Sequence, residues 1–238
     1  MRISEYFKLG RTQPTLDFVD VDIFADTPVF IDPSALRDLG SDWSEECVVL
    51  IQNFFDTVLA AIRENKHAKA RSLLGKLREP NETHLGLSSG KSHGRALGRE
   101  SAYAVWDALA ESEAVKSGLI EDLEDTILLI PGISSDIISD ITTNIIRKPL
   151  IEYTQQQCSH LGIPLTSDVS SGNLWNPISE KWYNQYESLP IASGQKLLLV
   201  PKAIVRKTMD YDVGEYFNHY MLERLREIEL SANSELVL

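Results

Sequence analysis

Two acidic residues near the start of the chain have the chemistry to bind a metal ion. Asp20 and Asp22 lie in the segment TLDFVDVDI, residues 15–23, where apolar and polar side chains alternate. The alternation predicts a β-strand that carries both carboxylates on one face, roughly 7 Å apart. Because hard oxygen ligands of this kind hold Mg²⁺ or Mn²⁺, we predict both residues as metal ligands. A solvated edge hairpin, whose charges block aggregation, has the same pattern.

A second pair of chemically active side chains lies in the middle of the chain. Glu82 and His84 are two positions apart, and on an extended segment such side chains point the same way. They could join the aspartates at a metal ion, or act as general acid and base. We therefore predict Asp20, Asp22, Glu82 and His84 as the catalytic residues.

One stretch is cationic although the chain as a whole is acidic. Residues 66–99, the basic island, hold eight Lys and Arg against two Glu, whereas the whole chain has 23 Lys and Arg against 35 Asp and Glu. Glycine recurs at positions 86, 90, 94 and 98. Glycine lets backbone N–H groups approach an anion closely, and Lys, Arg and Ser add charge and donors. We predict that Lys91, Ser92 and Arg95 bind phosphate or nucleic acid.

The basic island also fits other interpretations. A solvated surface loop has nearly the same composition. The segment GLSSGKS, residues 86–92, has three residues between its glycines, whereas a P-loop has four. Lys202, which follows the apolar run QKLLLV, is a further predicted phosphate contact, although a surface lysine is the commoner outcome.

A polar stripe lies on a predicted helix from Ser135 to Arg147. Asp136, Asp140 and Asn144 are spaced four residues apart, opposite a row of isoleucines. Such a stripe is usually the solvent face of the helix. If it is buried, it becomes a second candidate site for a metal ion or a hydrogen-bond network.

Length and charge limit the possible classes of protein. The 238 residues are enough to bury a core, and we predict a single domain over residues 1–238. The net charge of −12 argues against broad non-specific nucleic-acid binding but leaves room for one local patch.

Cys47 and Cys158 lie in apolar helical patterns without metal-ligand spacing. The first residues lack the apolar core of a signal peptide, and no run reaches membrane-spanning length. We expect a cytoplasmic protein with no membrane partner.

The order of elements predicts an α+β fold. An N-terminal hairpin, residues 15–32, and C-terminal strands around 195–205 are expected to share a small mixed or antiparallel sheet. The section between them, about residues 42–162, is expected to be predominantly helical, with a helix of about 20 residues starting at Asp42.

Two functions follow from these features. The first is a nucleic-acid-directed hydrolase, a metal-dependent nuclease or phosphodiesterase in which Mg²⁺ or Mn²⁺ activates water. The second is a non-catalytic subunit or adaptor of a bacterial multi-component complex, such as a defence system. That subunit would bind nucleic acid, another polyanion or a partner protein through residues 66–99.

Overall fold

The computed structural model confirms the α+β class. It describes residues 1–86 and 134–208 and, between them, residues 105, 107–112, 115–116, 120, 123 and 125–126. Outside residues 105–126, the helices, numbered in chain order, are α1 Ile3–Tyr6, α2 Pro33–Leu39, α3 Asp42–Arg63, α4 His67–Leu74, α5 Ser135–Ile145 and α6 Arg147–Leu161. Residues 107–111 are also helical. Short 3₁₀ turns lie at Gln13–Thr15, Asn81–Thr83 and Lys202–Ile204. No helix in the described ranges is long and apolar enough to cross a membrane.

Helix α3 organises the main core. It begins after Ser41, whose hydroxyl accepts from the backbone N–H of Ser44 and so satisfies a free donor of the first turn. Its apolar side chains recur at helical spacing and are buried against α2, α4 and α5. Phe54 on this helix packs edge-on against Trp175, which in turn contacts Trp182. The strands that carry the two tryptophans are therefore fixed to the helical core.

Helices α5 and α6 follow each other with a break at Ile146. Ser134 caps the start of α5 by accepting from the N–H of Ile137. Helix α6 ends at Gly162, whose φ of 71° is the left-handed conformation that favours glycine at this position. The break places Arg147, the first residue of α6, in the protein interior, where it is 3% exposed.

The strands form four two-stranded antiparallel ribbons in the described part of the chain. The strands are β1 Phe30–Ile31, β2 Thr166–Ser170, β3 Leu174–Asn176, β4 Lys181–Tyr183, β5 Tyr186–Leu189, β6 Ile191–Ala192, β7 Gln195–Lys196 and β8 Val205–Arg206. They pair as β1–β8, β2–β5, β3–β4 and β6–β7. The β1–β8 ribbon joins the N-terminal and C-terminal parts of the chain, as we expected.

The predicted N-terminal hairpin itself is not formed. Residues 15–23 lie outside every named strand, and β1 pairs with β8 instead. The segment is held beside the C-terminal part by single contacts, such as the Phe18–Pro201 bridge and the bond from Val19 N–H to Val200 O. The continuous strand expected over 195–205 is likewise replaced by β7, a 3₁₀ turn and β8. Pro201, which has no N–H to donate, lies between them.

Candidate anion-binding site

The predicted metal ligands Asp20 and Asp22 have separate protein partners. Asp20 is 2% exposed, and its carboxylate accepts from Ser4 N–H at 2.9 Å and from Ser4 Oγ at 2.6 Å. Asp22 is half-buried and accepts from the α-ammonium of Met1 and from Phe24 N–H, each at 2.9 Å. The ammonium and then the Phe24 N–H lower the pKa of Asp22. Each carboxylate therefore already accepts hydrogen bonds from other groups of this chain.

Glu82 and His84 point to different surroundings. The 3₁₀ turn Asn81–Thr83 replaces the extended segment that we expected, and His84 has a left-handed φ of 52°. His84 is buried, and its Nδ1 has no hydrogen-bond partner among the described residues. Burial lowers the pKa of His84, and the charge of Asp22 opposes that shift. The structure thus brings His84 near Asp22 but directs Glu82 elsewhere.

Glu82 joins two cations in a buried cluster, which we call the Glu82–Arg147–Lys196 site. The Glu82 carboxylate contacts Nη1 of Arg147, and its Oε1 lies 4.0 Å from Nζ of Lys196. Leu198 N–H donates to the Glu82 carbonyl at 2.8 Å, which fixes the 3₁₀ turn beside the segment that carries Lys196. In the described part of the chain, Glu82 is the one carboxylate within ion-pair distance of these two cations.

The two cations of this site are unusually desolvated. Burial lowers the pKa of Arg147 to about 10. Burial, followed by the charge of Arg147, lowers the pKa of Lys196 to about 8. Both shifts mean that the protein interior disfavours the charged forms, because desolvation, and for Lys196 also the like charge of Arg147, opposes them. Strongly shifted groups of this kind are concentrated at functional sites.

The loop between β2 and β3 covers the guanidinium group. A Cβ atom added to Gly172 would lie 3.3 Å from Nη1 of Arg147 and 3.5 Å from its Cζ and Nε. The ammonium of Lys196 donates to the carbonyl of Ser170 at 2.9 Å. Arg147 Nε is buried without a hydrogen-bond partner in the described ranges. The site therefore keeps one donor that nothing described satisfies, and it carries one more positive than negative charge.

The polar stripe of α5 is buried rather than solvated. Asn144 accepts from Arg78 N–H and donates to the Arg78 carbonyl. These bonds fix the backbone of Arg78, four residues before Glu82. Asp140 is 6% exposed, and burial, then the charge of Asp136, raises its pKa to about 9. Burial also raises the pKa of Asp136, and that of Asp26 to about 6. Within the described residues, no three Asp, Glu, His or Cys side chains are placed to hold a metal ion.

Of the predicted phosphate contacts, only Lys202 lies among the described residues. The ammonium of Lys202 donates to the carbonyls of Pro14 and Leu16, so it anchors the N-terminal segment. Lys91, Ser92 and Arg95 lie outside the described residues. In the described half of the basic island, three cations form exposed ion pairs: Lys66 with Glu64, Lys69 with Glu180 and Arg71 with Asp107.

Sequence reasoning selected Glu82 but missed Arg147 and Lys196. Arg147 stands at the start of a helix, and Lys196 stands at the edge of an apolar run, which are ordinary positions for cations. The one available signal was Lys196 preceding four consecutive apolar residues, because such a run places its first residue beside the core. The partnership with Glu82 depends on contacts between distant parts of the chain.

Comparisons with known proteins place the chain in a family. No curated protein matches it, and no solved structure matches it. One family model matches residues 8–212, which include all three members of the Glu82–Arg147–Lys196 site. The chain therefore belongs to the family described as Domain of unknown function (DUF8370).

Proposed function

We propose that this chain binds nucleic acid, as a non-catalytic component of a larger assembly. The observation that carries the proposal is the Glu82–Arg147–Lys196 site, where two desolvated cations share one carboxylate. A phosphate group would bring negative charge to both cations and accept from Arg147 Nε, which has no hydrogen-bond partner among the described residues. Arg and Lys are the side chains that proteins use to recognise phosphate.

The location of this site favours a nucleic acid over an isolated anion. Glu82 lies four positions before Gly86, where the glycine-rich half of the basic island begins. Lys91 and Arg95 follow in the same stretch, so cations of the island continue from the site along the chain. In a protein with a net charge of −12, a local run of this kind can attract a polyanion while the rest of the surface repels it.

The partners of the acidic residues favour binding over catalysis. Asp20 is held by Ser4, Asp22 by Met1 and Phe24, and Glu82 by Arg147. A metal ion at the predicted ligands would compete with these contacts, and loss of the buried ones is costly. The hydrolase hypothesis therefore requires a rearrangement that the binding proposal does not.

Binding can be tested with fluorescently labelled DNA and RNA, single- and double-stranded, in an anisotropy titration. We expect binding that weakens as salt rises, because phosphate contacts release counterions. Lys91→Glu combined with Arg95→Glu should abolish binding and leave the melting temperature unchanged. The control, Arg11→Glu combined with Lys207→Glu, makes the same charge change at exposed positions outside the island.

Two results would overturn the proposal. Equal loss of binding in the control would show that overall charge, not the island, is responsible. Cleavage of the labelled strands in Mg²⁺ or Mn²⁺ that is lost in Asp22→Asn would establish the hydrolase instead. Failure of every nucleic acid to bind at low salt would remove the nucleic-acid assignment altogether.

A further inference from the structure

We infer that Arg147 and Lys196 bind a terminal phosphate monoester, the phosphate at the end of a nucleic-acid strand, in the place that the Glu82 carboxylate now holds. The inference rests on the proposed function, because it names the part of the nucleic acid that reaches this site. It also makes Glu82 an internal competitor of the ligand rather than a catalytic residue.

The charges of the site fit a monoester better than an internal phosphodiester. Two cations meet one carboxylate, and the Glu82 oxygen that contacts Arg147 is also the one 4.0 Å from Lys196. A phosphate monoester carries a charge of about −1.5 to −2 at neutral pH and three acceptor oxygens. A phosphodiester carries one negative charge and has two free oxygens. The monoester can therefore neutralise both cations at once and still accept from Arg147 Nε.

Access to the site selects a strand end. The side chains of Arg147 and Glu82 are 4% and 11% exposed, whereas that of Lys196 is 27% exposed. Lys196 is thus the most solvent-accessible member of the site. An internal phosphate is flanked by nucleotides on both sides, while a terminal phosphate presents three unflanked oxygens and can approach a largely buried cation more closely.

Gly172 places no side-chain atom of its own against the guanidinium group of Arg147. A Cβ at this position would contact Nη1, Cζ and Nε of Arg147, all within 3.5 Å. The backbone can therefore lie against one face of the guanidinium group, while the edge that bears Nε keeps a donor without a described partner. This leaves the N–H groups along the edge of the guanidinium group to donate to a phosphate, whose oxygens match the planar fork of arginine.

The lowered pKa of Lys196 gives the site an independent readout. Without a bound ligand, burial and Arg147 hold the pKa of Lys196 near 8. A bound dianion favours the protonated amine, so we expect the pKa of Lys196 to rise and one proton to be taken up at mildly alkaline pH. Neither effect is expected from a purely structural ion pair.

The test compares otherwise identical single-stranded DNAs that carry a 5′-phosphate, a 3′-phosphate or hydroxyl groups at both ends. We expect one phosphorylated end to bind about tenfold more tightly than the hydroxyl strand, the size of a charge-assisted bidentate contact. Lys196→Gln should remove this preference and Glu82→Gln should increase it. Lys181→Gln, at an exposed lysine of β4, is the matched control and should leave the preference unchanged.

The outcomes separate this inference from the proposed function. If all three strands bind equally well to the wild-type protein, end recognition is wrong while nucleic-acid binding stands. If no strand binds, the proposed function fails, and the thermal shift caused by inorganic phosphate decides whether the site takes a phosphate group. A shift that Lys196→Gln abolishes and Lys181→Gln retains supports the site, and the absence of any shift sinks the inference as well. A loss of end preference in Lys181→Gln would also count against it.

Discussion

Gly172 lies directly against the guanidinium group of Arg147, with the position of a Cβ atom only 3.3 Å from Nη1. Its φ of +80° belongs to the region that favours glycine. Any side chain at this position would therefore meet both backbone strain and a buried cation. The contact links the β2–β3 loop to the first turn of α6.

The first prediction separates these two effects. Gly172→Ala should destabilise the protein by about 2–3 kcal/mol, since a left-handed φ in alanine costs about 1–2 kcal/mol and the contact adds to it. Gly194 has the same φ of +80° but nothing within 4 Å of its Cβ position. Gly194→Ala should therefore show the conformational cost alone. Chemical denaturation measures both variants, and equal losses would mean that Arg147 moves aside freely.

The second prediction concerns the role of Asp20. Asp20→Ala removes both acceptors of Ser4 and leaves a buried N–H without a partner, so we expect a loss of about 2–3 kcal/mol. Asp17→Ala, at an exposed position three residues earlier, should change stability by less than about 0.5 kcal/mol. Thermal or urea unfolding is the measurement. A metal-ligand role would instead predict little loss of stability in the metal-free protein.

The third prediction is a pH dependence caused by Asp140. Its pKa is raised from 3.8 to about 9 in the folded protein, so the folded state binds a proton that the unfolded state releases. Stability should therefore fall as pH rises from about 4 towards 9, by the linkage between proton binding and unfolding. Asp140→Asn mimics the protonated form and should raise stability at about pH 8 by at least 1 kcal/mol, roughly one pKa unit's worth.

The control for Asp140 is an exposed aspartate. Asp38→Asn, near the end of α2, should leave the slope of stability against pH unchanged. Denaturation midpoints at several pH values between about 5 and 9 give both slopes. A slope in Asp140→Asn identical to that of the wild type would show that this carboxyl group does not carry the effect.

The long helices could be predicted because their signals are local. The apolar spacing after Asp42 predicts a helix of about 20 residues, and α3 extends from Asp42 to Arg63. The helical section expected to extend to about residue 162 also ends there, since α6 stops at Leu161 and Gly162 is its C-cap. The short helices α1 and α2 were not predicted.

The sheet partners and the site could not be predicted in the same way. Alternation identifies a segment that suits a strand, but it does not say which segment pairs with it, and β1 pairs with β8. Glu82 was selected for its chemical type, while its role depends on Arg147 and Lys196, which only tertiary contacts bring near. The burial of Asp140 also depends on tertiary contacts. From the sequence alone, a polar stripe on a helix indicates a solvent-facing surface.

The pairing of β1 with β8 has a consequence for how the chain folds during its synthesis. Phe30 finds its partner, Arg206, only after the long intervening chain has been synthesised. At typical rates of translation, β1 waits on the ribosome for roughly ten to thirty seconds before β8 emerges. During that time its apolar residues, including Ile31, have no native cover from β8. Until β8 is present, these apolar residues must be covered by other groups or stay in contact with water.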